Sequence, residues 1–289
     1  MYQVQSRRVR ACVLGLGLAA LAAFASLSPW VSPLATAAPT PAGVSPLKVD
    51  ASYKITLNGF DLGTFSFKSN VGRTTYTLDT DVQISALLGV FRWRGVTHSS
   101  GTVKAKNPQP GDFRFDYEST VRNGSVAMGF GKEGVDRLTV MPVMADAADT
   151  VPLTRAHLKD ALDPLSAILM LTHSDAPTPC GRKVSIFDGK QRFDIDLRFA
   201  RKEPVEGMRG EIAVVCRVKY TPIAGYRPTP ETRDLASTND IEIMFRLVPQ
   251  AKLMLPQSVT VPTAAGQARI NLERVNIELP DRGQVASAD

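Results

Sequence analysis

The chain has 289 residues, of which 44% are hydrophobic and 21% are charged, and its formal net charge is +6. Three of the 34 basic residues are Arg7, Arg8 and Arg10; without them 31 basic residues stand against 28 acidic ones, a net charge of about +3. Such a nearly balanced chain argues against a nucleic-acid-binding protein.

Residues 1–37 are predicted to form a cleavable export signal. The three arginines precede an apolar run at residues 12–27, CVLGLGLAALAAFASL, which is shorter than the roughly 20 residues of a membrane span. Small residues at Ala35 and Ala37 fit the recognition positions of signal peptidase, so we expect cleavage after Ala37, with Ala38 as the alternative. The signal is of the bacterial type, which predicts a periplasmic protein.

The mature chain is predicted to hold a single β domain at residues 51–280. Residues 38–50, which begin APTPAGVSPL, are rich in Pro and Ala and are expected to form a flexible lead-in. Residues 281–289 are expected to be a tail. No segment after the signal is apolar over a length that could span a membrane.

The first half of the domain predicts consecutive antiparallel hairpins. Asn58-Gly59 and Asn123-Gly124 are strong signals for tight turns. Alternation of polar and apolar residues predicts strands on both sides of these turns. The predicted strands cover residues 53–57, 62–68, 74–84, 90–96, 101–106, 112–122, 125–129 and 138–140.

The sequence Phe91-Arg92-Trp93-Arg94 is the one group with binding character. In a strand, Phe91 and Trp93 share one face and the two arginines share the other. One interpretation is the rim of a ligand site, in which the aromatics contact an apolar ligand and the arginines bind its anionic head group. The alternative, which we favour, is a pair of core aromatics backed by solvated arginines.

A helical insertion is predicted at about residues 154–174. Asp163 precedes a proline and is therefore unfavourable inside a helix, but it suits the N-cap, with Pro164 at the first helical position and Ser166 at the third. Leu165, Ile168 and Leu169 lie on one face of this helix, and apolar residues cover most of the rest. We expect a helix that is buried nearly all round and acts as a plug.

Strand patterns resume after the helix. The predicted strands cover residues 183–187, 192–199, 211–220, 241–248, 252–261 and 268–277. Asp188-Gly189, between the first two of them, is a further strong turn signal. A single antiparallel sheet of this length normally curls or closes. The fold class is therefore mainly β: a long antiparallel sheet curled into a partly open barrel around one central apolar helix.

Removal of the signal leaves two of the three cysteines, Cys180 and Cys216. In an oxidising compartment such a pair favours a disulfide, worth roughly 3–4 kcal/mol for a loop of this length. Two free buried thiols are the alternative.

Catalytic and metal sites are not indicated. His98, His157 and His173 are the three histidines, none lies at metal-ligand spacing from another, and each suits a surface or turn position. The carboxylate pairs Asp79/Asp81 and Asp194/Asp196 each share a strand face, which favours a solvated outer surface over an acid–base pair. The sequence therefore predicts no enzyme, no metal and no cofactor.

Several short motifs together resemble a known family. They are the opening strand at Tyr53, the hairpin at residues 58–63, Ser100-Gly101, residues 110–115, the helix start at residues 163–166, and Phe187-Asp188-Gly189. Over residues 51–279 the chain resembles the bacterial periplasmic family of domain of unknown function 3108 (DUF3108). The resemblance implies a curled, partly open barrel around a helix, similar to the lipoprotein-carrier type of fold, and implies no activity.

The expected function is that of an exported, non-enzymatic periplasmic protein. It would support the integrity of the cell envelope by binding a hydrophobic ligand (a lipid or lipoprotein) or an envelope protein. The alternative is a structural or scaffolding module whose barrel is filled by its own side chains and which acts through its surface. A third hypothesis, a hydrolase of envelope polymers, needs a carboxylate pair in a cleft.

Overall fold

The computed structural model describes residues 46–86, 89–105, 107–143, 147–173, 178–280 and 283–288, the last six by their backbone alone. The predicted export signal, its cleavage site and most of the lead-in lie outside the described residues.

Fourteen strands occur within the described ranges, and all belong to one antiparallel sheet. They are β1 (Leu47–Leu57), β2 (Phe60–Val71), β3 (Thr75–Ala86), β4 (Phe91–Lys104), β5 (Asn107–Ser119), β6 (Gly124–Gly131), β7 (Gly134–Met141), β8 (Arg182–Phe187), β9 (Arg192–Pro204), β10 (Ile212–Ala224), β11 (Glu242–Val248), β12 (Leu253–Thr263), β13 (Gly266–Leu279) and β14 (Gly283–Ala288).

The sheet consists of two runs of hairpins joined through one long-range pair of strands. Its hydrogen-bonded order is β7-β6-β5-β4-β3-β2-β1-β13-β12-β11-β10-β9-β8, and β14 pairs with β13 beside this path. Between the described residues of β7 and β8, the two end strands, no pairing closes the sheet. The prediction of a mainly β chain with one long antiparallel sheet is confirmed.

The boundaries predicted for the domain were too narrow. β1 begins at Leu47, inside the predicted lead-in, because Leu47, Val49 and Ala51 alternate onto the buried face of the sheet. Residues 283–288 of the predicted tail form β14, which pairs with β13. The flexible lead-in predicted to run to residue 50 is therefore wrong from Leu47 onward, and most of the predicted C-terminal tail is a strand of the sheet.

β4 is one continuous strand where the sequence predicted two. The predicted strands at residues 90–96 and 101–106 belong to it, and Gly95 and Gly101 serve close packing within the sheet. A Cβ at Gly95 would lie 2.4 Å from the Trp93 ring and 2.9 Å from Phe115. A Cβ at Gly101 would lie 2.3 Å from the carbonyl oxygen of Gln109. Neither site tolerates a larger side chain without a shift.

The helix α1 (Pro164–Thr172) follows a short 3-10 helix at Arg155–Leu158. Its N-cap is Asp163, whose Oδ1 accepts hydrogen bonds from the backbone N–H groups of Leu165 and Ser166, each at 3.0 Å. Proline at the first position needs no partner for its nitrogen, so the local sequence suffices to start the helix.

Both runs of the sheet contact α1. The helix contacts β3, β4 and β5 of one run and β8 and β12 of the other. The turn between β8 and β9 lies against β6, where a Cβ added at Gly189 would lie 2.2 Å from Cγ1 of Val126. The sheet is therefore bent enough to bring these two parts together. Leu165, Ala167 and Leu169 are buried in the cores that result.

A second helix, α2 (Pro230–Ser237), was not predicted. Thr229 is its N-cap and accepts a hydrogen bond from the backbone N–H of Thr232 at 3.3 Å. None of its residues is buried. The signal was present in Thr229-Pro230-Glu231, which has a cap residue, a proline and an acid in the order typical of a helix start.

Candidate ligand-binding cavity

An apolar cavity of about 340 Å³ lies between the middle of the sheet and the C-terminal end of α1. Its walls come from β1, β2, β3, β11, β12 and β13 and from the last residues of the helix. The volume falls at the lower end of the range of about 300–1,000 Å³ that small-molecule sites occupy.

The strand β1 builds one wall through simple alternation. Val49, Ala51, Tyr53 and Ile55 all line the cavity, and the residues between them point to the other face. Tyr53 pairs with Phe65 of β2, with ring centroids 5.4 Å apart. A strand pair with large apolar residues on one face therefore supplies most of this wall.

The opposite wall is the end of α1. Ile168, Leu171, Thr172 and His173 line the cavity. The helix ends at His173, whose backbone N–H donates to the carbonyl of Leu169 at 3.0 Å. His173 also forms an isolated antiparallel bridge with Leu253 of β12, which fixes the helix end against the sheet.

Two polar atoms of the cavity wall are buried without a hydrogen-bond partner among the described residues: Oγ of Ser69 and Nε2 of His173. Burial lowers the pKa of His173 to about 4, so its imidazole is neutral near pH 7. His173 as a whole is half-buried, but its Nε2 is buried in the cavity wall, which corrects the interpretation of His173 as a surface or turn residue. A lone histidine beside an apolar helix carried no signal for this role.

The other polar side chains of the wall are satisfied by the protein itself. The Tyr53 hydroxyl donates to the carbonyl of Pro256 at 3.1 Å, and burial raises the pKa of this tyrosine. The Thr172 hydroxyl lies 2.9 Å from the carbonyl oxygen of Ile168. Ser69 and His173 are therefore the polar groups of this wall that are left for a ligand.

The predicted ligand rim does not border this cavity. None of Phe91, Arg92, Trp93 and Arg94 lines it. Arg92, Trp93 and Arg94 instead line a separate surface depression of about 710 Å³. Arg94 is engaged by Asp81, with Nε 3.1 Å from Oδ2. Trp93 packs against Phe115, with ring centroids 6.3 Å apart. Phe91 and Trp93 are only half-buried, so they are not the core aromatics of the favoured alternative.

The residues predicted as the helix plug divide between two roles. Ile168 lines the cavity, whereas Leu165 and Leu169 pack in a core with Tyr76, Leu78 and Phe113. Pro164 occupies the first position of the helix. Asp163 and Ser166 belong to a buried hydrogen-bond network at the helix start.

In that network, Oδ2 of Asp163 accepts from the hydroxyls of Ser166 and, at 3.1 Å, Ser99. The hydroxyl of Tyr76 lies 2.6 Å from Oγ of Ser166. Burial raises the pKa of Asp163 and these hydrogen bonds oppose the rise; burial also raises the pKa of Tyr76 to about 12. Asp163 and Ser166 are fully buried, so the network positions the helix and offers no surface to a substrate.

Cys180 and Cys216 form a disulfide, as predicted, with their Cα atoms 5.6 Å apart. Cys216 lies in β10, and Cys180 lies two residues before the start of β8. The bond therefore ties the chain segment that follows α1 to the sheet.

The paired carboxylates have polar partners, and Asp194 is buried, not part of the solvated outer surface that the sequence predicted. Asp79 contacts Nδ1 of His98 at 2.7 Å, and Asp196 contacts Arg198 at 2.9 Å. Asp194 is held by Lys183 at 2.8 Å and Arg192 at 2.6 Å. Burial raises the pKa of Asp194, but hydrogen bonds from these two cations and Ser185 outweigh it and lower the pKa.

The described residues contain neither a metal-binding cluster nor a membrane-spanning helix. No group of three or more His, Cys, Asp or Glu side chains there could hold a metal ion. Among the same residues, no helix combines the length and the apolar character needed to cross a membrane.

Fold and cavity together define a class: a protein with one long antiparallel β-sheet, a buried helix and an apolar cavity between them. The chain belongs to the family described as "Protein of unknown function (DUF3108)", whose model matches residues 52–273. No curated protein matches the chain.

One solved structure is similar, the β-barrel-like protein of domain of unknown function DUF1849 from Brucella abortus. The two sequences are 12% identical, the alignment covers 81% of this chain and 98% of that chain, and the TM-score is 0.47.

Proposed function

We propose that the protein is an exported, non-enzymatic protein of the bacterial cell envelope that binds a hydrophobic ligand beside α1. The observation that carries the proposal is the cavity of about 340 Å³, whose wall is apolar except for a few side chains. Apolar surface left accessible inside a fold is costly in water, so a cavity of this kind favours an apolar occupant.

The architecture supports this function. Both runs of the sheet contact α1, which supports a partly open barrel with the helix at its centre. In this arrangement α1 fills one part of the interior, and the cavity at its C-terminal end remains for a ligand. A barrel filled entirely by its own side chains, the alternative expected from the sequence, would leave no such space.

Export and the absence of catalysis are parts of the same proposal. The Cys180–Cys216 disulfide suits an oxidising compartment such as the periplasm. Asp194 forms an ion pair with Lys183, Asp196 forms one with Arg198, and Asp79 contacts the imidazole of His98, which supports a structural role for these carboxylates. Lipids and lipoproteins are the hydrophobic molecules that an envelope protein meets.

The test is ligand binding by wild type and by one matched pair of variants. Val259→Phe places a larger side chain in the cavity wall, whereas Val261→Phe changes the same face of β12 at a position that does not line the cavity. Wild type and Val261→Phe should bind the fluorescent apolar probe N-phenyl-1-naphthylamine, and Val259→Phe should bind it about ten-fold more weakly.

Wild-type protein purified from periplasm should also release acyl-chain lipid on solvent extraction, detected by mass spectrometry. Circular dichroism establishes that each variant is folded. The proposal fails if folded wild type neither carries lipid nor binds the probe.

A further inference from the structure

The polar groups of the cavity wall limit what its occupant can be. Ser69 and His173 present the two atoms, Oγ and Nε2, that lack a partner among the described residues. A buried polar atom without a partner costs about 1–3 kcal/mol, and a ligand that supplies the partner recovers that energy. A pure hydrocarbon would leave both atoms unsatisfied.

Thr172 favours a proton on Nδ1 of His173. Its Oγ1 lies 2.9 Å from the carbonyl oxygen of Ile168 and 3.3 Å from that of Leu169. A carbonyl only accepts, so a Thr172 hydroxyl that donates to either oxygen has no second proton to give. Nδ1 of His173 lies 3.3 Å from the same Oγ1, and beside a hydroxyl engaged in this way Nδ1–H is the donor.

With the proton on Nδ1, Nε2 of His173 is an acceptor. The imidazole stays neutral near pH 7, since burial lowers its pKa to about 4. Among the residues that the structure describes, no lysine or arginine lines the cavity. An anionic head group would therefore be desolvated without a counter-charge, which is costly.

We propose that the cavity selects a neutral, single-chain amphiphile whose head group donates a hydrogen bond to Nε2 of His173. Long-chain alcohols and monoacylglycerols have this chemistry. Ser69, whose hydroxyl can donate or accept, is the second polar contact for the head group. The alkyl chain lies against the apolar residues of β1 and β2. This inference rests on the proposed function and names the ligand class of the same cavity.

Two isomeric ligands test whether the head group must donate a hydrogen bond. Undecanol carries a hydroxyl, whereas its isomer decyl methyl ether accepts a hydrogen bond but cannot donate one. By displacement of N-phenyl-1-naphthylamine from wild type, undecanol should bind about ten-fold more tightly than the ether, the effect of one hydrogen bond to a buried group. Undecanoate, the anion, should bind more weakly than undecanol.

His173→Phe keeps an aromatic ring and removes the acceptor. In this variant undecanol should bind about ten-fold more weakly than in wild type, and the ether should bind as in wild type. His98→Gln, which changes an exposed histidine, is the control and should keep the preference for undecanol. Nitrogen NMR of wild type gives a readout that does not depend on a variant: Nε2 should be unprotonated, and its signal should shift with undecanol but not with the ether.

The outcomes separate the two proposals. If the ether or undecanoate binds wild type as tightly as undecanol, or if NMR finds the proton on Nε2, the donor proposal is overturned while binding in the cavity stands. If no ligand and no probe binds, the proposed function itself fails.

Discussion

The imidazole of His173 is held neutral inside the protein, and this has a consequence for stability against pH. Its pKa is about 4 in the folded protein and about 6.5 when exposed. Between these values the unfolded chain binds the proton more readily, so the free energy of unfolding falls as the pH is lowered from 6.5 to 4. The loss reaches about 3 kcal/mol at most.

Urea unfolding at a series of pH values measures this effect. His173→Phe should lack this part of the decline, so its stability should change less than that of wild type between pH 6.5 and 4. The control, His98→Gln, should follow the wild-type profile. Parallel profiles for wild type and His173→Phe would contradict the role given to His173.

The residues that could be predicted are those whose roles are local. Asp163 is predicted as a helix cap from the three residues that follow it. For Cys180, removal of the signal leaves Cys216 as the one cysteine with which it could form a disulfide. The position of His173 depends on its bridge to Leu253, and that of Ser69 on which strands face α1. Nothing near either residue in the chain indicates such contacts.

At the scale of elements, the two helices offer a matched comparison of caps. Both begin with a cap residue followed by proline, Asp163-Pro164 in α1 and Thr229-Pro230 in α2. Asp163 is fully buried and accepts hydrogen bonds from two backbone and two hydroxyl donors. Thr229, in contrast, caps a helix that has no buried residues.

Thr229→Ala should lower the free energy of unfolding by about 1 kcal/mol, as for an ordinary cap. Asp163→Ala should lower it by about 3 kcal/mol or more, because buried hydroxyls lose their acceptor in addition to the cap. Urea unfolding compares the two variants. Equal losses would show that the buried network adds nothing beyond capping.

Element type was largely predictable, whereas element limits were not. Turns such as Asn58-Gly59 and Asp188-Gly189 are set by two adjacent residues with special backbone geometry, and Gly59 and Gly189 indeed have positive φ. The continuity of β4 depends instead on what packs over Gly95 and Gly101. The short polar helix α2 lacks the apolar stripe by which helices are usually recognised.

For the whole molecule, alternation and strand number predicted one long antiparallel sheet. The sequence pattern did not predict the pairing of β1 with β13, because no turn connects these strands and any exposed strand edge could serve as partner. The cavity follows from that pairing, since strands on both sides of the β1–β13 pair supply its walls.

The β1–β13 pairing also predicts an order of folding. Lys48 and Glu278 form an ion pair across these strands, although they are 230 residues apart in the chain. Contacts of such separation form slowly, because a long loop must close before they are made. In pulsed hydrogen exchange during refolding, amides between β3 and β4 should be protected before those between β1 and β13. Simultaneous protection would contradict this order. In a chain that emerges from its amino end, β1 can pair with β2 early, whereas the edge of β1 that takes β13 stays unpaired until the last strands have been made.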